Sequence, residues 1–163
     1  MPRTLGIMLT WTTYGPWLRG DARGWVDKGV VFPPNPQLRA ADQKRLHLGP
    51  FTFAPGEVFA AGGLIGQALR ELDATIHALH VGTWHVHGIV RYLPVPMPAI
   101  VKKATDRVRR GLGYRRAIWV AGYDKRFCFD AVSLRNRIEY VRRHNVEDRM
   151  PPDPWPFIVP LEG

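Results

Sequence analysis

The chain has 163 residues, a formal net charge of +9 and a sequence pI near 10.3. Hydrophobic residues at 45% and charged residues at 23% are ordinary globular values, which exclude wholesale disorder and a fibrous repeat, and the length predicts a single domain over residues 1–163. No apolar stretch approaches the roughly 18 residues of a membrane span, and the N-terminus lacks the pattern of a secretory signal, so we expect a cytoplasmic protein with no membrane partner.

The charge is unevenly distributed and indicates a polyanionic partner. Residues 1–100 carry a net charge of +3, whereas residues 101–163 carry +6. Clustered Lys and Arg gain affinity for phosphates by releasing counterions, so this distribution favours nucleic acid. The single cysteine, Cys128, excludes an internal disulfide and a cysteine-based zinc site.

The predicted elements follow the order strand, helix, β-hairpin, helix, strand, helix. A first strand over residues 5–12 is followed by a long inserted loop (18–50) that contains a short helix (38–46). The chain continues with a core helix (58–75), a hairpin (76–81 and 85–92) and a basic helix (99–112). It ends with short strands (117–120 and 125–129), a helix capped by Ser133 that runs to 144, and an extended Pro-rich tail (151–163). This order predicts an α+β fold with a mostly antiparallel sheet, because a doubly wound parallel sheet needs a helix between successive strands.

Two histidines alternate along the second strand of the hairpin. Since side chains on a strand repeat every two residues, His85 and His87 point to one face while Val86 points to the other. Two imidazoles on one face can share a metal ion and leave open positions for phosphate oxygens and water. A His-x-His pair can also be structural, with each ring hydrogen-bonded near the core.

The last helix carries a second group of polar side chains beside its apolar stripe. Leu134, Ile138 and Val141 recur at i, i+4 and i+7 and predict the buried face. Tyr140 and His144 are one helical turn apart and flank that stripe together with Arg137. The alternative is a half-buried tyrosine on an amphipathic helix with a solvated basic face.

Taken together, these motifs resemble the single-tyrosine HUH transposases, and most of all the REP-associated tyrosine transposases. The resemblance covers most of the chain and rests on four segments: Leu9 to Gly15, His85-Val86-His87, Trp119 to Tyr123, and Tyr140 to Asn145. It implies a ferredoxin-like core with the His motif on a central strand and a helix that brings the tyrosine beneath it. Relatives often have Pro-Asn before the first motif histidine, where this chain has Thr83-Trp84.

The resemblance also implies an activity and a set of site residues. It implies a metal-dependent single-stranded DNA endonuclease and strand transferase in which Tyr140 attacks the phosphate and a 5′-phosphotyrosine remains. His85 and His87 would hold a divalent ion, Mg²⁺ or Mn²⁺ first among the candidates, with other first-row ions open. Relatives place Gln or Asn four residues after the tyrosine, where this chain has His144, so His144 is the expected third ligand and Asn145 its fallback. No phosphate-binding loop of the ATPase type is present, and no nucleotide cofactor is expected.

Basic and aromatic side chains define the expected DNA contacts. Single-stranded or hairpin DNA fits a basic surface interspersed with rings that stack on unpaired bases. The candidates are Lys102, Lys103, Arg109, Arg110, Arg115, Arg116, Arg137, Arg143, Trp84, Trp11 and Tyr14. Single tryptophans among them could equally belong to the core.

Two other interpretations stay open at this stage. One is a non-catalytic DNA-binding protein derived from a transposase. The other is a metal-dependent hydrolase that uses His77, His80, His85 and His87. The oligomeric state is also open, since insertion-sequence relatives exchange the tyrosine helix in dimers while REP-associated relatives can act as monomers.

Overall fold

A computed structural model describes residues 3–162 and contains a four-stranded antiparallel sheet with helices on both faces. The elements are β1 (Gly6–Thr12), β2 (Trp25–Asp27), β3 (Val30–Phe32), α1 (Pro36–Arg45), a 3₁₀ turn (Pro55–Glu57), α2 (Val58–Arg70), β4 (Ile76–Val81), β5 (His85–Arg91), α3 (Met97–Gly111), β6 (Asp124–Cys128) and α4 (Ala131–Glu147). The strand order β4-β5-β1-β6 is that of a ferredoxin-like fold, as predicted.

Strand β5, which carries the His motif, lies inside the sheet between β4 and β1. Its register places His87 opposite Thr10 of β1 and opposite His80 of β4. His85 lies opposite Thr12. Because opposite residues on neighbouring strands share a face, His80, His87 and Thr10 form one row across the sheet.

The two faces of the sheet bury different helices. One face packs Ile7, Leu9 and Trp11 against apolar side chains of α2 and α3. The other packs Met8 and Ile89 against Leu134, Ile138 and Val141 of α4. The stripe predicted for the last helix is therefore its buried face, and α4 shares a sheet face with the imidazoles.

Several boundaries differ from the sequence prediction, each for a local reason. Asp130 caps α4, because its side chain accepts a hydrogen bond from the Ser133 backbone N–H, so Ser133 lies inside the helix. Residues 117–120 contribute only an isolated bridge between Trp119 and Thr13. The inserted loop contains the hairpin β2–β3, whose turn residues Lys28 and Gly29 both have positive φ.

The Pro-rich segment packs firmly on α2. Trp155 is 3% exposed, stacks on Phe59 at 5.7 Å and donates its indole N–H to the Phe59 carbonyl. Gly62 and Gly66 make room for it, since a Cβ at either position would overlap the ring of Trp155 or Phe157. The last residues thus help to build the core.

No helix within residues 3–162 is long and apolar enough to cross a membrane.

Candidate active site

Four imidazoles converge where β4, β5 and the C-terminal half of α4 meet. Ring atoms of His80, His85 and His87 that could bind a metal all lie within 4.8 Å of one another. The ring centroid of His144 lies 5.2 Å from the ring centroids of His80 and His87 and 6.2 Å from that of His85. The compact group of possible ligand atoms therefore consists of His80 and the two predicted ligands His85 and His87. The ring of His144, the predicted third ligand, lies beside this group.

The imidazoles of the motif are held neutral by their surroundings. Burial, reinforced by the neighbouring His80 and His144, lowers the pKa of His85 to about 4. Burial and the rings of His85, His144 and His80 lower the pKa of His87 to about 3. A neutral imidazole offers a lone pair to a metal ion, so both rings are in the protonation state that ligation requires.

Hydrogen bonds fix how two of these rings face the site. Thr10 Oγ1 lies 2.9 Å from His87 Nδ1, which leaves Nε2 of His87 for a ligand. Asp148 Oδ2 lies 2.7 Å from His80 Nε2. The buried Nδ1 atoms of His80 and His85 find no hydrogen-bond partner among the residues that the structure describes. Unpartnered buried ring nitrogens on clustered histidines fit a site built for a metal ion.

Tyr140 lies next to the imidazoles on α4. Its ring is 5.8 Å from that of His87 and 4.7 Å from that of His144, and the residue is 42% exposed. Such a phenol is accessible to a substrate while it contacts the proposed ligands. The structure thus places Tyr140, the predicted nucleophile, next to His87, a predicted ligand that lies 53 residues earlier in the chain.

An open groove of about 870 Å³ runs past Tyr140 and His87. Arg137 and Arg143 of α4 line it, and Nε of Arg137 is buried without a hydrogen-bond partner in residues 3–162. The other lining residues come from β1, the β2–β3 hairpin and the segment before β6: Met8, Thr10, Trp11, Thr12, Trp17, Val26, Lys28, Gly29, Val120, Ala121, Gly122, Tyr123, Asp124, Arg126 and Asn136. The groove combines guanidinium groups with apolar and aromatic surface.

The basic residues of α3 lie away from this groove. Helix α3 packs on the sheet face opposite α4, and none of its residues lines the groove. Lys102 pairs with Asp106, Lys103 pairs with Glu71, and Arg109 donates to the Tyr114 carbonyl. Arg110 is exposed on the same helix.

Four other predicted DNA contacts also lie outside the groove lining: Tyr14, Trp84, Arg115 and Arg116. Arg115 is exposed, and Arg116 packs over the rings of Tyr14 and Phe51. The Tyr14 hydroxyl accepts a hydrogen bond from the His47 backbone N–H. Trp84 is partly buried between Trp17, 6.0 Å away between ring centroids, and the Arg23 guanidinium, which is 4.7 Å above its ring.

Two candidate residues, Trp11 and Asn145, are buried. Trp11 is 3% exposed and belongs to the core, so its ring offers little surface for base stacking. Asn145 is fully buried, and its amide donates to the carbonyls of Leu79 and Pro152. These hydrogen bonds hold α4 to β4 and to the following segment, while Oδ1 of Asn145 is buried without a hydrogen-bond partner in residues 3–162.

The four-histidine hydrolase arrangement is not formed. His77 Nδ1 contacts the Val159 carbonyl at 2.7 Å, and His77 lines a separate cavity with Leu134 and Leu161. The sequence motifs indicate His80 as a ligand only within that set of four. The position of His80 beside His87 follows from the strand register. The sequence predicts that the two strands form a hairpin, but it does not predict their register.

Comparison with known proteins shows what the fold resembles. No protein-family model and no curated protein matches the sequence. A solved structure of a REP-associated tyrosine transposase bound to a REP hairpin aligns with 91% of this chain and 71% of its own, at 11% identity and a TM-score of 0.55. A protein of Deinococcus radiodurans R1 provisionally assigned as a transposase aligns with 91% of this chain and 93% of its own, at 14% identity and a TM-score of 0.42.

The likeness to the REP-associated transposase confirms, at the level of the fold, the resemblance that the sequence motifs indicate. At 11% identity it establishes shared architecture, and it leaves the activity to be argued from the residues of this chain.

Proposed function

We propose that this chain is a metal-dependent single-stranded DNA endonuclease and strand transferase of the tyrosine transposase type. The observation that carries the proposal is the position of Tyr140. Its ring contacts His87 and His144 and lies open to a groove lined by Arg137 and Arg143. A nucleophile, candidate metal ligands and cationic groups for a phosphate therefore meet at one place.

The proposed reaction is phosphoryl transfer to the tyrosine. The Tyr140 oxygen forms a bond to phosphorus, the bond from phosphorus to O3′ breaks, and the 3′-oxygen leaves as a hydroxyl after taking up a proton. The phenol gives up its proton in the same exchange. The downstream DNA remains attached as a 5′-phosphotyrosine, which keeps the phosphodiester energy for rejoining to another 3′-hydroxyl.

His85, His87 and His144 are the proposed ligands of a divalent ion, Mg²⁺ or Mn²⁺ in the first instance. When bound, such an ion polarises a non-bridging oxygen of the scissile phosphate. The chain's own contribution is to orient the groups. Thr10 fixes the ring of His87, and the guanidinium groups of Arg137 and Arg143 can hold phosphate oxygens in the groove.

The groove suits unpaired nucleotides better than a closed duplex. Trp17, Tyr123 and Val26 offer apolar surface on which bases can stack, while Lys28 adds a cation from the β2–β3 hairpin. This supports single-stranded or hairpin DNA as substrate, the latter also by analogy with the REP hairpin bound to the similar transposase. Tyr140 approaches the histidines of its own chain, which supports a complete site in one protomer.

A covalent adduct assay tests the proposal. A hairpin-flanked single-stranded oligonucleotide labelled at its 3′ end is incubated with the protein and a divalent ion, and adducts are separated on a denaturing gel. The wild type should yield a labelled protein band, and Tyr140→Phe should yield none. Tyr123→Phe is the matched control, because Tyr123 lines the same groove and should retain the adduct.

The same assay separates the competing functions. A protein that shifts the oligonucleotide in a native gel, but gives neither adduct nor cleavage with any ion, is the non-catalytic DNA-binding protein. An adduct that persists in Tyr140→Phe would refute the assignment of the nucleophile. Full metal-dependent cleavage by His87→Ala would refute the ligand assignment.

A further inference from the structure

We propose that His80, positioned by Asp148, is an additional ligand of the metal site, and that the resulting set of imidazoles takes Zn²⁺, Co²⁺ or Ni²⁺ in preference to Mg²⁺. The inference rests on the proposed metal site but changes its composition and the class of ion that it selects. The evidence for it is a set of contacts made by His80. A metal site formed by His85, His87 and His144 alone would not require these contacts.

The position of His80 follows from the sheet. His80 lies directly opposite His87 on the neighbouring strand, and their ring centroids are 6.1 Å apart. It is 5.2 Å from the rings of both His85 and His144, so it lies next to all three other imidazoles. His80 is 1% exposed, which means that its ring faces the cluster and the core, away from solvent.

Asp148 determines which nitrogen of His80 faces the cluster. The carboxylate lies 2.7 Å from Nε2 and accepts its hydrogen, which leaves the lone pair on Nδ1. That Nδ1 is buried and has no hydrogen-bond partner anywhere in residues 3–162. A purely structural histidine would leave this atom desolvated and unpaired, whereas a ligand to a metal ion would satisfy it.

Helix α4 supplies both groups that complete the arrangement. His144 lies in its last turn, and Asp148 is the residue that ends the helix, one turn further on. The same docking of α4 on the sheet therefore places one imidazole at the cluster and the carboxylate behind His80. Asp148 is half exposed and reaches the buried ring from the solvent side. A carboxylate behind a metal-binding histidine is a recurrent way to orient the ring and raise its basicity.

The donor set indicates the ion. Imidazole favours Zn²⁺, Cu²⁺, Fe²⁺ and Ni²⁺, whereas Mg²⁺ favours carboxylate, carbonyl and water oxygens. In the described residues the compact group of possible ligands consists of histidines alone. A Mg²⁺ ion would have to exchange water for three or four nitrogen ligands, which it does reluctantly. The site should therefore discriminate strongly against Mg²⁺.

Metal binding, measured without DNA, tests this inference. Purified full-length protein is stripped with a chelator and titrated with Zn²⁺, Co²⁺ and Mg²⁺, with calorimetry for affinity and visible absorption of Co²⁺ for its ligand set. The wild type should bind Zn²⁺ at least about 100-fold more tightly than Mg²⁺. Asp148→Ala should weaken Zn²⁺ binding by about 10- to 100-fold, and Asp148→Glu should restore part of it.

Two further variants complete the design. His80→Gln should weaken Zn²⁺ binding and alter the Co²⁺ spectrum. Asp153→Ala is the matched control, because Asp153 is a nearby partly exposed carboxylate that pairs with Arg142 and not with a histidine. If His80→Gln fails to fold, Asp148→Ala decides, since this substitution removes a half-exposed side chain. Wild-type Zn²⁺ affinity and an unchanged Co²⁺ spectrum in folded Asp148→Ala would overturn the inference.

The result is separable from the proposed function. Tyr140→Phe should retain Zn²⁺ binding, because the phenol is not part of the ligand set. If Zn²⁺ binding depends on His80 and Asp148 while no DNA adduct forms, this inference holds and the proposed nuclease fails. If adducts form with Mg²⁺ at wild-type rates in His80→Gln, the nuclease holds and this inference fails.

Discussion

Replacement of Thr10 by Val tests whether metal binding depends on the orientation of the His87 ring, because the substitution leaves His87 itself in place. The Thr10 hydroxyl lies 2.9 Å from His87 Nδ1, on the neighbouring strand and in direct register. For His87 to bind a metal through Nε2, Nδ1 must carry the hydrogen and donate it to this oxygen. Valine keeps the branched shape at Cβ and removes the acceptor, so the ring loses the contact that fixes its tautomer and angle.

The expected magnitude follows from the role of such contacts. Removal of a hydrogen-bond partner behind a metal ligand costs about 10- to 100-fold in affinity, equivalent to about 1.4 to 2.7 kcal/mol. Thr10→Val should therefore weaken Zn²⁺ or Mn²⁺ binding by this factor in calorimetric titrations. DNA-adduct formation should fall in parallel at subsaturating metal and recover at high metal concentration.

The same strand offers a matched control. Thr12 lies opposite His85, yet its hydroxyl makes no hydrogen bond to a residue of the described part of the chain. Thr12→Val should leave metal affinity within about twofold of the wild type. Equal affinities for Thr10→Val and Thr12→Val, both folded by circular dichroism, would show that the Thr10 contact does not orient a ligand.

Trp155→Ala should lower the free energy of unfolding in urea by about 3 to 5 kcal/mol, and Trp155→Phe by less, because the large substitution leaves a cavity over α2; equal losses would contradict this packing. The pKa of His87 is lower in the folded chain than in the unfolded chain, so the unfolded chain takes up a proton first as the pH falls. The contribution of neutral His87 to the free energy of unfolding is therefore fully present above pH 6.5 and is lost as the pH falls towards 3. Between pH 7 and pH 5 the metal-free wild type should lose roughly 2 kcal/mol more than His87→Gln, and parallel pH curves would refute the assignment. Arg137→Gln should reduce the salt dependence of single-stranded DNA binding by about one unit of slope or slightly less, whereas Lys102→Gln, on the opposite face of the sheet, should leave it unchanged; the reverse pattern would place the DNA on α3.

The hairpin and the final helix were readable from the sequence because their signals are local. The two-residue period of a strand places His85 and His87 on one face wherever that strand lies. Helical periodicity places Tyr140 and His144 one turn apart beside the stripe of Leu134 and Val141. The resemblance to tyrosine transposases combines these local patterns, and the fold agrees with it.

Burial assignments were less predictable where a side chain suits two environments. The sequence predicts Trp11 as a surface for base stacking, but Trp11 packs into the core. The reason is that β1 is an interior strand and that α2 and α3 cover the sheet face on which Trp11 lies. The Pro-rich tail reads as extended, yet Trp155 fills the space left by Gly62. Neither outcome follows from local sequence, since each depends on a partner distant in the chain.

The chemical groups along each element follow from local sequence: paired imidazoles on a strand, and a phenol and an imidazole along one side of a helix. Which of those faces meet depends on how the elements pack. The register of β4 against β5 places His80 opposite His87, and the docking of α4 brings Tyr140, His144 and Asp148 to the same end of the sheet. The physical reason is that register and helix docking are set by long-range burial of apolar surface, which no local period encodes.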